Sequence, residues 1–364
     1  MKNIVFKLRE NVDVYKIGEN ILYFYFINKR EGINISSNTY ISEFISNLNG
    51  ERTVDEILCE MQMDYNKDLE KLLDFFIKNK IIYQVNNKFQ KTLQDEEFFL
   101  RQLVFFQEYF EKDAYEFQKQ LFEEKFLFFG IGSIGSGIAI ELAMMGIKNF
   151  IFIDKGVIKQ NSIERHYYFK EKNIGKTKVE ALKEYILDIS PEANIEIFQE
   201  TINYDTNLDK YFDLKPSFVI NTLDEPYIGL TSLKIGRRTY IEKLPLFVGG
   251  GFDGHLMSTG ELIIPDKTPC VDCYIDYFTE SLKDWKPKYN KKAIKNEKFN
   301  IFEVGGLSSM ALFSVSYGVI EILKYLANNE YIGKGRGELL FENLEINYIN
   351  VKKNKHCKIC GDKR

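Results

Sequence analysis

Four of the five cysteines fall into two CxxC pairs, a spacing that suits metal binding. The pairs are Cys270 with Cys273 in KTPCVDCY and Cys357 with Cys360 in KHCKICGDKR. Each pair can supply two thiolates from one tight turn, and four thiolates form a closed tetrahedral site without a position for substrate. We therefore predict one structural Zn²⁺ ion held by the four sulfurs. His255 and His356 are alternative ligands, although four sulfurs already suffice.

A second chemical signal is the glycine-rich run KFLFFGIGSIGSG. Gly130, Gly132 and Gly135 have GxGxxG spacing between an apolar strand and a predicted helix, and Asp154 ends the next strand. Glycines let the backbone approach a phosphate, the helix N-terminus offers free N–H groups, and the acid can bind ribose hydroxyls. The spacing predicts a nucleotide site. Alone it fits a nicotinamide dehydrogenase equally well, and a glycine turn without a ligand is the other alternative.

Strands and helices that alternate from Lys125 onward must position these residues. The runs KFLFF, NFIFID, NIEIF and SFVINTLD are typical of buried strands, and Thr177–Ile189 has the periodicity of an amphipathic helix. Alternation of this kind predicts an α/β fold with a Rossmann-like, mostly parallel sheet covered by helices on both faces.

A smaller α+β module precedes this region. The runs DVYKI and ILYFYFI are β-rich, and IIYQV closes the module after three helix-sized segments. Those segments lie around Ile41–Leu48, Val54–Met61 and Leu69–Lys78. The order resembles a small winged-helix domain. The polar stretch Asn86–Glu97 predicts a linker, so we place the domains at residues 1–88 and 89–364.

Composition limits the classes of function. Hydrophobic residues make up 45% and charged residues 28% of the chain, which predicts a folded protein. The net charge of -4 argues against a nucleic-acid partner, because phosphate backbones attract concentrated basic surfaces. We find neither a run of uninterrupted apolar residues long enough for a membrane span nor an apolar signal core after MKNIVFKLRE. The sequence predicts a cytoplasmic protein without a membrane partner.

The segment DKGVIKQNSIERHYYFKEKNIGKTKVEAL resembles the ubiquitin-activating, molybdopterin- and thiamin-biosynthesis adenylating enzymes. Their pattern has an acid ending the second strand, an arginine eleven residues on, and a glycine and a lysine opening a helix. The matching residues are Asp154, Arg165, Gly175 and Lys178. In FVINTLDEP, Asp224 stands where the family keeps a magnesium-binding aspartate. The resemblance implies ATP and Mg²⁺ as the nucleotide and its metal.

The candidate catalytic residues suit this chemistry independently of the resemblance. Transfer of AMP from ATP requires cations on the triphosphate and a metal held by a carboxylate. Arg165 offers a forked donor and Lys178 a point charge, whereas Asp224 offers the carboxylate. The alternatives are that both cations are solvated surface residues and that Asp224 is a helix N-cap.

Arg101 is a further candidate, in LRQLVFF. In the family an arginine on this helix reaches the nucleotide of the partner subunit, which would imply a homodimer. The alternative is one more exposed arginine on an amphipathic helix.

The layout indicates a branch of the family. A thioester-forming enzyme needs a cysteine near its crossover loop, but residues 275–303 contain none, and Cys59 lies far away in the sequence. The N-terminal module makes the chain resemble microcin C-type peptide-adenylating enzymes, whose similar domain clamps a precursor peptide. This resemblance implies adenylation of the C-terminus of a ribosomal precursor peptide in a modified-peptide antibiotic pathway.

Two alternatives remain open. The substrate could be the C-terminal Gly-Gly of a small sulfur-carrier protein, or the chain could present a precursor peptide without catalysis. The chain also departs from the family at Ser162, His166 and Gly156, where asparagine, glutamine and aspartate are usual. These departures concern the detail of the pocket and leave both cations and Asp224 in place.

Overall fold

The computed structural model describes residues 1–85, 96–110, 113–166, 168–225, 227–252, 254–284 and 305–361. The chain divides into two units, Met1–Glu116 and Phe117–Arg364. The boundary predicted between residues 88 and 89 lies outside the described residues, as does the part of the predicted crossover loop beyond residue 284.

In its described residues, the first unit contains two three-stranded antiparallel sheets and four helices of its own. The strands are β1 (Val5–Leu8), β2 (Val12–Ile17), β3 (Ile21–Phe26), β4 (Glu31–Ser36), β5 (Asn49–Thr53) and β6 (Ile82–Gln84). The helices are α1 (Thr39–Ser46), α2 (Val54–Glu60), α3 (Lys67–Lys78) and α4 (Glu96–Tyr109). One sheet has the order β5-β1-β6 and the other the order β2-β3-β4. The ribbon, three helices and closing strand therefore follow in the expected order.

Local sequence signals explain the helices of this unit. The helix α2 begins at a capping box, in which Thr53 and Glu56 satisfy each other's backbone N–H groups. The helix α3 buries Leu69, Leu73 and Phe76, whose spacing puts them on one helical face. The Phe76 ring packs 5.3 Å from the ring of Phe24, so α3 covers the β2-β3-β4 sheet.

The second unit is built on a six-stranded sheet of order β13-β11-β10-β7-β8-β9, in which only the pairing of β11 with β13 is antiparallel. Its strands are β7 (Lys125–Phe129), β8 (Asn149–Ile153), β9 (Asn194–Phe198), β10 (Phe218–Asn221), β11 (Leu246–Val248) and β13 (Glu261–Ile263). The central strands consist mostly of apolar residues because helices bury both faces of a parallel sheet. The predicted α/β class with a mostly parallel sheet is confirmed.

Helices and a small second sheet complete this unit. The helices are α5 (Ala114–Glu123), which spans the division between the units, α6 (Ser133–Met144), α7 (Lys178–Ile189), α8 (Asp209–Phe212), α9 (Ile228–Ile241), α10 (Val271–Leu282) and α11 (Ser308–Ala327). The strands β12 (Leu256–Ser258), β14 (Gly337–Leu340) and β15 (Ile346–Tyr348) form an antiparallel sheet in the order β12-β14-β15.

Among the described residues, α11 is the one helix that is long and apolar enough to cross a membrane by length and composition. In its most apolar window, 61% of the residues are buried inside the fold. It packs against α6. This burial is the pattern of a core helix.

Candidate functional site

The glycine loop joins β7 to α6 as the spacing predicts. Gly130 has a φ of +98°, a conformation that residues with a side chain rarely adopt. A Cβ atom at Gly135 would lie 2.2 Å from the carbonyl oxygen of Gly130, so the helix can approach the strand only with glycine there. Gly132 is the N-cap of α6 and makes no side-chain cap, which leaves N–H groups of the first helical turn open to a ligand.

Asp154 fixes the loop from the end of β8. Its side chain is buried, with Oδ2 accepting from the Ile131 N–H at 2.7 Å and Oδ1 accepting from the Gly156 N–H at 2.6 Å. Each carboxylate oxygen can accept more than one hydrogen bond. Asp154 thus organises the backbone around the cavity, and its contact with a ribose stays a prediction.

Lys178 reaches the site because two segments pair beside it. The Lys178 N–H donates to the carbonyl oxygen of Gly156 at 2.9 Å, and Val157 forms a β-bridge with Thr177. Lys178 is the first residue of α7, which starts at a capping box formed by Thr177 and Glu180. A Cβ atom at Gly156 would lie 3.0 Å from Cε of Lys178 and 2.8 Å from Oδ1 of Asp154. The usual aspartate would therefore crowd this lysine, and Gly156 makes room for it.

Asp224 and Glu225 follow β10 at the carboxyl edge of the sheet. Both are exposed, and Asp224 lies three positions before Tyr227, the N-cap of α9. The alternative of Asp224 as a helix cap is therefore not what the fold shows. Glu225 forms an ion pair with Lys155, and the hydrogen bond from Lys155 lowers the pKa of Glu225. Both Asp224 and Glu225 line one cavity.

His166 is a buried imidazole in the wall of the cavity. Its Nδ1 lies 2.7 Å from the carbonyl oxygen of Ser162, which assigns the proton to Nδ1, and its ring stacks on Phe169 at 4.5 Å. Burial lowers the pKa of His166 to about 4, and the charges of Lys178 and Arg165 act in the same direction. The neutral ring therefore presents a lone pair at Nε2, for which no hydrogen-bond partner exists among the described residues.

One cavity of about 570 Å³ gathers most of the predicted nucleotide-site residues. The predicted residues that line it are Gly130, Gly132, Asp154, Arg165, Lys178 and Asp224. It also contains residues that the sequence did not single out, namely Ser133, Thr222, Glu225, Gly249, Gly251 and Phe252. A glycine run at 249–251 directly after an apolar strand is the signal that could have found part of this second group. Two cations, a glycine-lined helix start and a carboxylate that line one cavity can hold a nucleoside triphosphate and its metal.

The two CxxC pairs meet as predicted. All four cysteines are buried, and their sulfur atoms lie within 4.8 Å of one another. Cys270 Sγ lies 3.5 Å from Cys357 Sγ, and Cys273 Sγ lies 3.4 Å from Cys360 Sγ. Zn–S bonds of about 2.3 Å in a tetrahedron place sulfurs roughly 3.8 Å apart, so the cluster fits a zinc ion.

Backbone N–H groups support the sulfurs. The Asn354 N–H points to Cys273 Sγ and the Ile359 N–H to Cys357 Sγ, each at 3.4 Å. Burial raises the pKa of Cys273 to about 11, so bound zinc is what would hold this sulfur as a thiolate. His255 and His356 do not join the cluster.

Arg101 is exposed on α4 in the first unit. Its role across a subunit interface stays a prediction. The predicted crossover loop begins within α10, which continues to Leu282, and residues 285–303 lie outside the described part of the chain.

A family model described as the ThiF family matches residues 99–360, which include the glycine loop, the cavity and both cysteine pairs. The chain belongs to the ThiF family. Members of this family and its E1-like relatives are ATP-dependent adenylating enzymes. The predicted superfamily is thereby confirmed.

Curated relatives of this ThiF-family chain match only part of it. The NEDD8-activating enzyme E1 catalytic subunit of Schizosaccharomyces pombe is 29% identical over 168 residues, covering 45% of this chain and 36% of that protein. The tRNA threonylcarbamoyladenosine dehydratase of Escherichia coli is 29% identical over 130 residues, covering 36% of this chain and 47% of that protein. The chain thus spans about half of these relatives or less.

Solved structures match nearly the whole chain. Escherichia coli MccB, crystallised with AMPCPP and MccA, has a TM-score of 0.70 and 18% identity, covering 98% of this chain and 99% of that chain. A crystal structure of PaaA has a TM-score of 0.69 and 18% identity, covering 95% of this chain and 100% of that chain. At this identity the likeness establishes the fold alone.

Proposed function

We propose that this protein transfers AMP from ATP to the C-terminal end of a ribosomally made precursor peptide. The observation that carries the proposal is the single cavity in which the glycine loop, Arg165, Lys178 and Asp224 come together. A dehydrogenase needs no such set of cations, whereas nucleotidyl transfer must offset charge on a leaving pyrophosphate.

The chemistry follows from these positions. A C-terminal carboxylate oxygen or carboxamide nitrogen of the peptide attacks the α-phosphorus, and the bond to the oxygen that bridges the α- and β-phosphates breaks, so that pyrophosphate leaves with the electron pair. An attacking nitrogen also loses one proton, which passes to solvent or to the leaving pyrophosphate. Arg165 and Lys178 offset the charge that grows on the phosphates. The open N–H groups at the start of α6 orient the triphosphate.

Magnesium fits the donor set of the cavity. Mg²⁺ is usually held by one or two carboxylates together with substrate phosphates and water, and the exposed Asp224 provides such a carboxylate. The ion would supply positive charge to the phosphate oxygens. Glu225 is already occupied by Lys155, so Asp224 is the residue that we assign to the metal.

The first unit offers a surface for the peptide. The strands β2 and β4 are the edges of their sheet, and an extended peptide can add to such an edge through main-chain hydrogen bonds. Tyr15, Ile17 and Ile21 expose 50%, 49% and 40% of their surface on this ribbon. Apolar side chains of the peptide could pack there.

The peptide is favoured over a carrier protein by the extent of the likeness. The likeness to the microcin C7 biosynthetic enzyme MccB, which was crystallised with MccA, extends over 98% of this chain, whereas the E1 relative matches 45% of it. Thioester transfer is disfavoured because Cys59, the one cysteine outside the zinc cluster, is on α2 of the first unit. A homodimer completed by Arg101 and a cytoplasmic location belong to the same proposal.

Mass spectrometry of a reaction mixture tests the proposal. The purified chain is incubated with ATP, Mg²⁺ and each short peptide encoded beside its own gene, and both the peptide mass and released pyrophosphate are measured. A stable gain of one AMP supports a peptidyl-nucleotide product. Pyrophosphate release without an adduct, together with activity on a carrier ending in Gly-Gly, would instead indicate a transient acyl adenylate. If ATP is consumed with none of the candidate peptides, the result would indicate that the chain presents a precursor peptide without catalysis.

A further inference from the structure

A second cavity lies beside the nucleotide cavity in the same unit. It has a volume of about 210 Å³ and is bounded by α9, β11, β13 and α10. Ile228 lines both cavities. Val248 lines the second cavity, and the next residue, Gly249, lines the first. The two cavities therefore share a wall at Ile228 and at the end of β11.

The cavity combines apolar walls with an ion pair of unusual geometry. Glu261 is almost fully buried, and the nearest cationic atom to its Oε2 is Nη1 of Arg336 at 3.8 Å, too far for a hydrogen bond. Glu261 Oε2 and Arg336 Nε have no hydrogen-bond partner in the part of the chain that the structure describes. The Arg336 guanidinium lies over the Phe278 ring at 5.5 Å.

Buried polar groups are normally satisfied, so this pair has capacity for a ligand or for water. One water molecule occupies roughly 30 Å³ in the liquid. The second cavity therefore has space for several waters or for one amino-acid side chain. The other walls include Ile263, Val271 and Ile275, which favour an apolar body over a polar one.

The charge environment restricts what can enter. Burial raises the pKa of Glu261 to about 7, although the positive charge of Arg336 opposes this shift. The cavity therefore disfavours the ionised form of Glu261. Arg336 also lies 3.8 Å from Glu338, and its charge is therefore balanced whether or not Glu261 is ionised. A charged side chain brought into this space would lose its hydration and would meet one group of like charge, since Glu261 and Arg336 both line the cavity.

We propose that this cavity receives the side chain of the last residue of the substrate peptide and selects an uncharged, mainly apolar one. The inference rests on the proposed function, which places the C-terminal group of the peptide at the α-phosphate. From there the side chain of the same residue needs a space within a few ångströms. The cavity behind Ile228 provides it.

A specificity profile tests this assignment. The peptide that supports turnover is prepared with Leu, Gln, Ala, Glu or Lys as its last residue, and kcat/KM for pyrophosphate release is measured for each. For the wild type we expect Leu and Gln to exceed Glu and Lys by about tenfold or more. Equal rates with all five peptides would overturn the proposal.

Three variants show whether the cavity causes the preference. Glu261→Gln removes a carboxylate and should raise kcat/KM for the Glu-ending peptide, whereas Arg336→Gln should raise it for the Lys-ending peptide. Ile275→Phe, at the half-buried rim, should lower kcat/KM for the Leu-ending peptide while sparing the Ala-ending one. Glu342→Gln, on the exposed turn after β14, is the matched control and should leave the profile unchanged. Thermal unfolding identifies any variant that fails to fold.

The outcomes separate the two proposals. If the wild type transfers AMP but all folded variants keep its specificity profile, the role assigned to the second cavity is wrong and the proposed function stands. If the wild type transfers AMP to no peptide, both are wrong.

Discussion

The hydroxyl of Thr222 donates a 2.9 Å hydrogen bond to the carbonyl oxygen of Gly130, which ties the end of β10 to the glycine loop. The same hydroxyl would lie 2.6 Å from a Cβ atom placed at Gly135. The strand end, the loop and the first turn of α6 therefore form one tightly packed corner of the nucleotide cavity.

Gly135→Ala should disrupt this corner. The added methyl group would contact both the Gly130 carbonyl and Thr222, and overpacking of this kind costs about 1–3 kcal/mol. Gly132→Ala is the control, because a Cβ there meets no atom within 4 Å. Denaturant unfolding should show a loss of stability for the first variant and almost none for the second. Equal stability of the two variants would contradict the packing described for this corner.

Asp224→Ala should abolish turnover and leave the fold intact. The residue is exposed and lines the cavity, so its loss removes the proposed metal ligand without opening the core. We expect a fall in kcat of about 10²–10³ or more, in the range found when a group that offsets transition-state charge is removed. Asp205→Asn, an exposed aspartate outside the cavity lining, serves as the control. Full activity of Asp224→Ala would refute the metal role.

His166 should make the protein sensitive to mild acid. Its pKa is about 4 in the folded state and about 6.5 in the unfolded chain, so the unfolded state binds the proton more readily. The stability that the neutral ring provides is complete above about pH 6.5 and is lost as the pH falls toward 4, by up to roughly 3 kcal/mol. Between pH 7 and pH 4 the wild type should lose more unfolding free energy than the His166→Gln variant, which has no imidazole to protonate. A difference in unfolding free energy between the two proteins that does not change with pH would contradict this prediction.

Removal of zinc should destabilise the second unit. The four sulfurs come from the start of α10 and from the C-terminal segment, so the ion would join chain positions 87 residues apart, as the Cys270–Cys357 contact shows. Metal analysis should find one zinc per chain, and a strong chelator should lower the melting temperature. Cys357→Ser should lose the metal, whereas Cys59→Ser should keep it. Full zinc content in Cys357→Ser would show that the site is elsewhere.

The sequence predicted the parts of the fold that depend on local signals. The strand β7 is apolar from Phe126 to Phe129, and the GxGxxG spacing marks the turn into α6, so both could be located without the structure. The amphipathic periodicity of Thr177–Ile189 likewise located α7, which begins at Lys178. These patterns act within a few residues.

Features that depend on distant contacts were missed. The strand β5 has the polar sequence NGERT and is a strand because it pairs with β1, not because of its own residues. The ion pair of Lys155 with Glu225 joins the ends of two strands, and Glu261 meets Arg336 only after the chain has passed through α10 and α11. No local pattern indicates such pairs, because the tertiary fold brings them together.

The most direct test of nucleotidyl transfer is the fate of labelled phosphates. ATP carrying ³²P at either the α or the γ position is incubated with the protein, Mg²⁺ and the peptide, and the products are separated. The account predicts that α-label moves to the peptide, or to AMP from a hydrolysed acyl adenylate, and that γ-label appears only in pyrophosphate. Transfer of γ-label to the peptide, or its release as inorganic phosphate without pyrophosphate, would contradict the assignment of this cavity to adenylation.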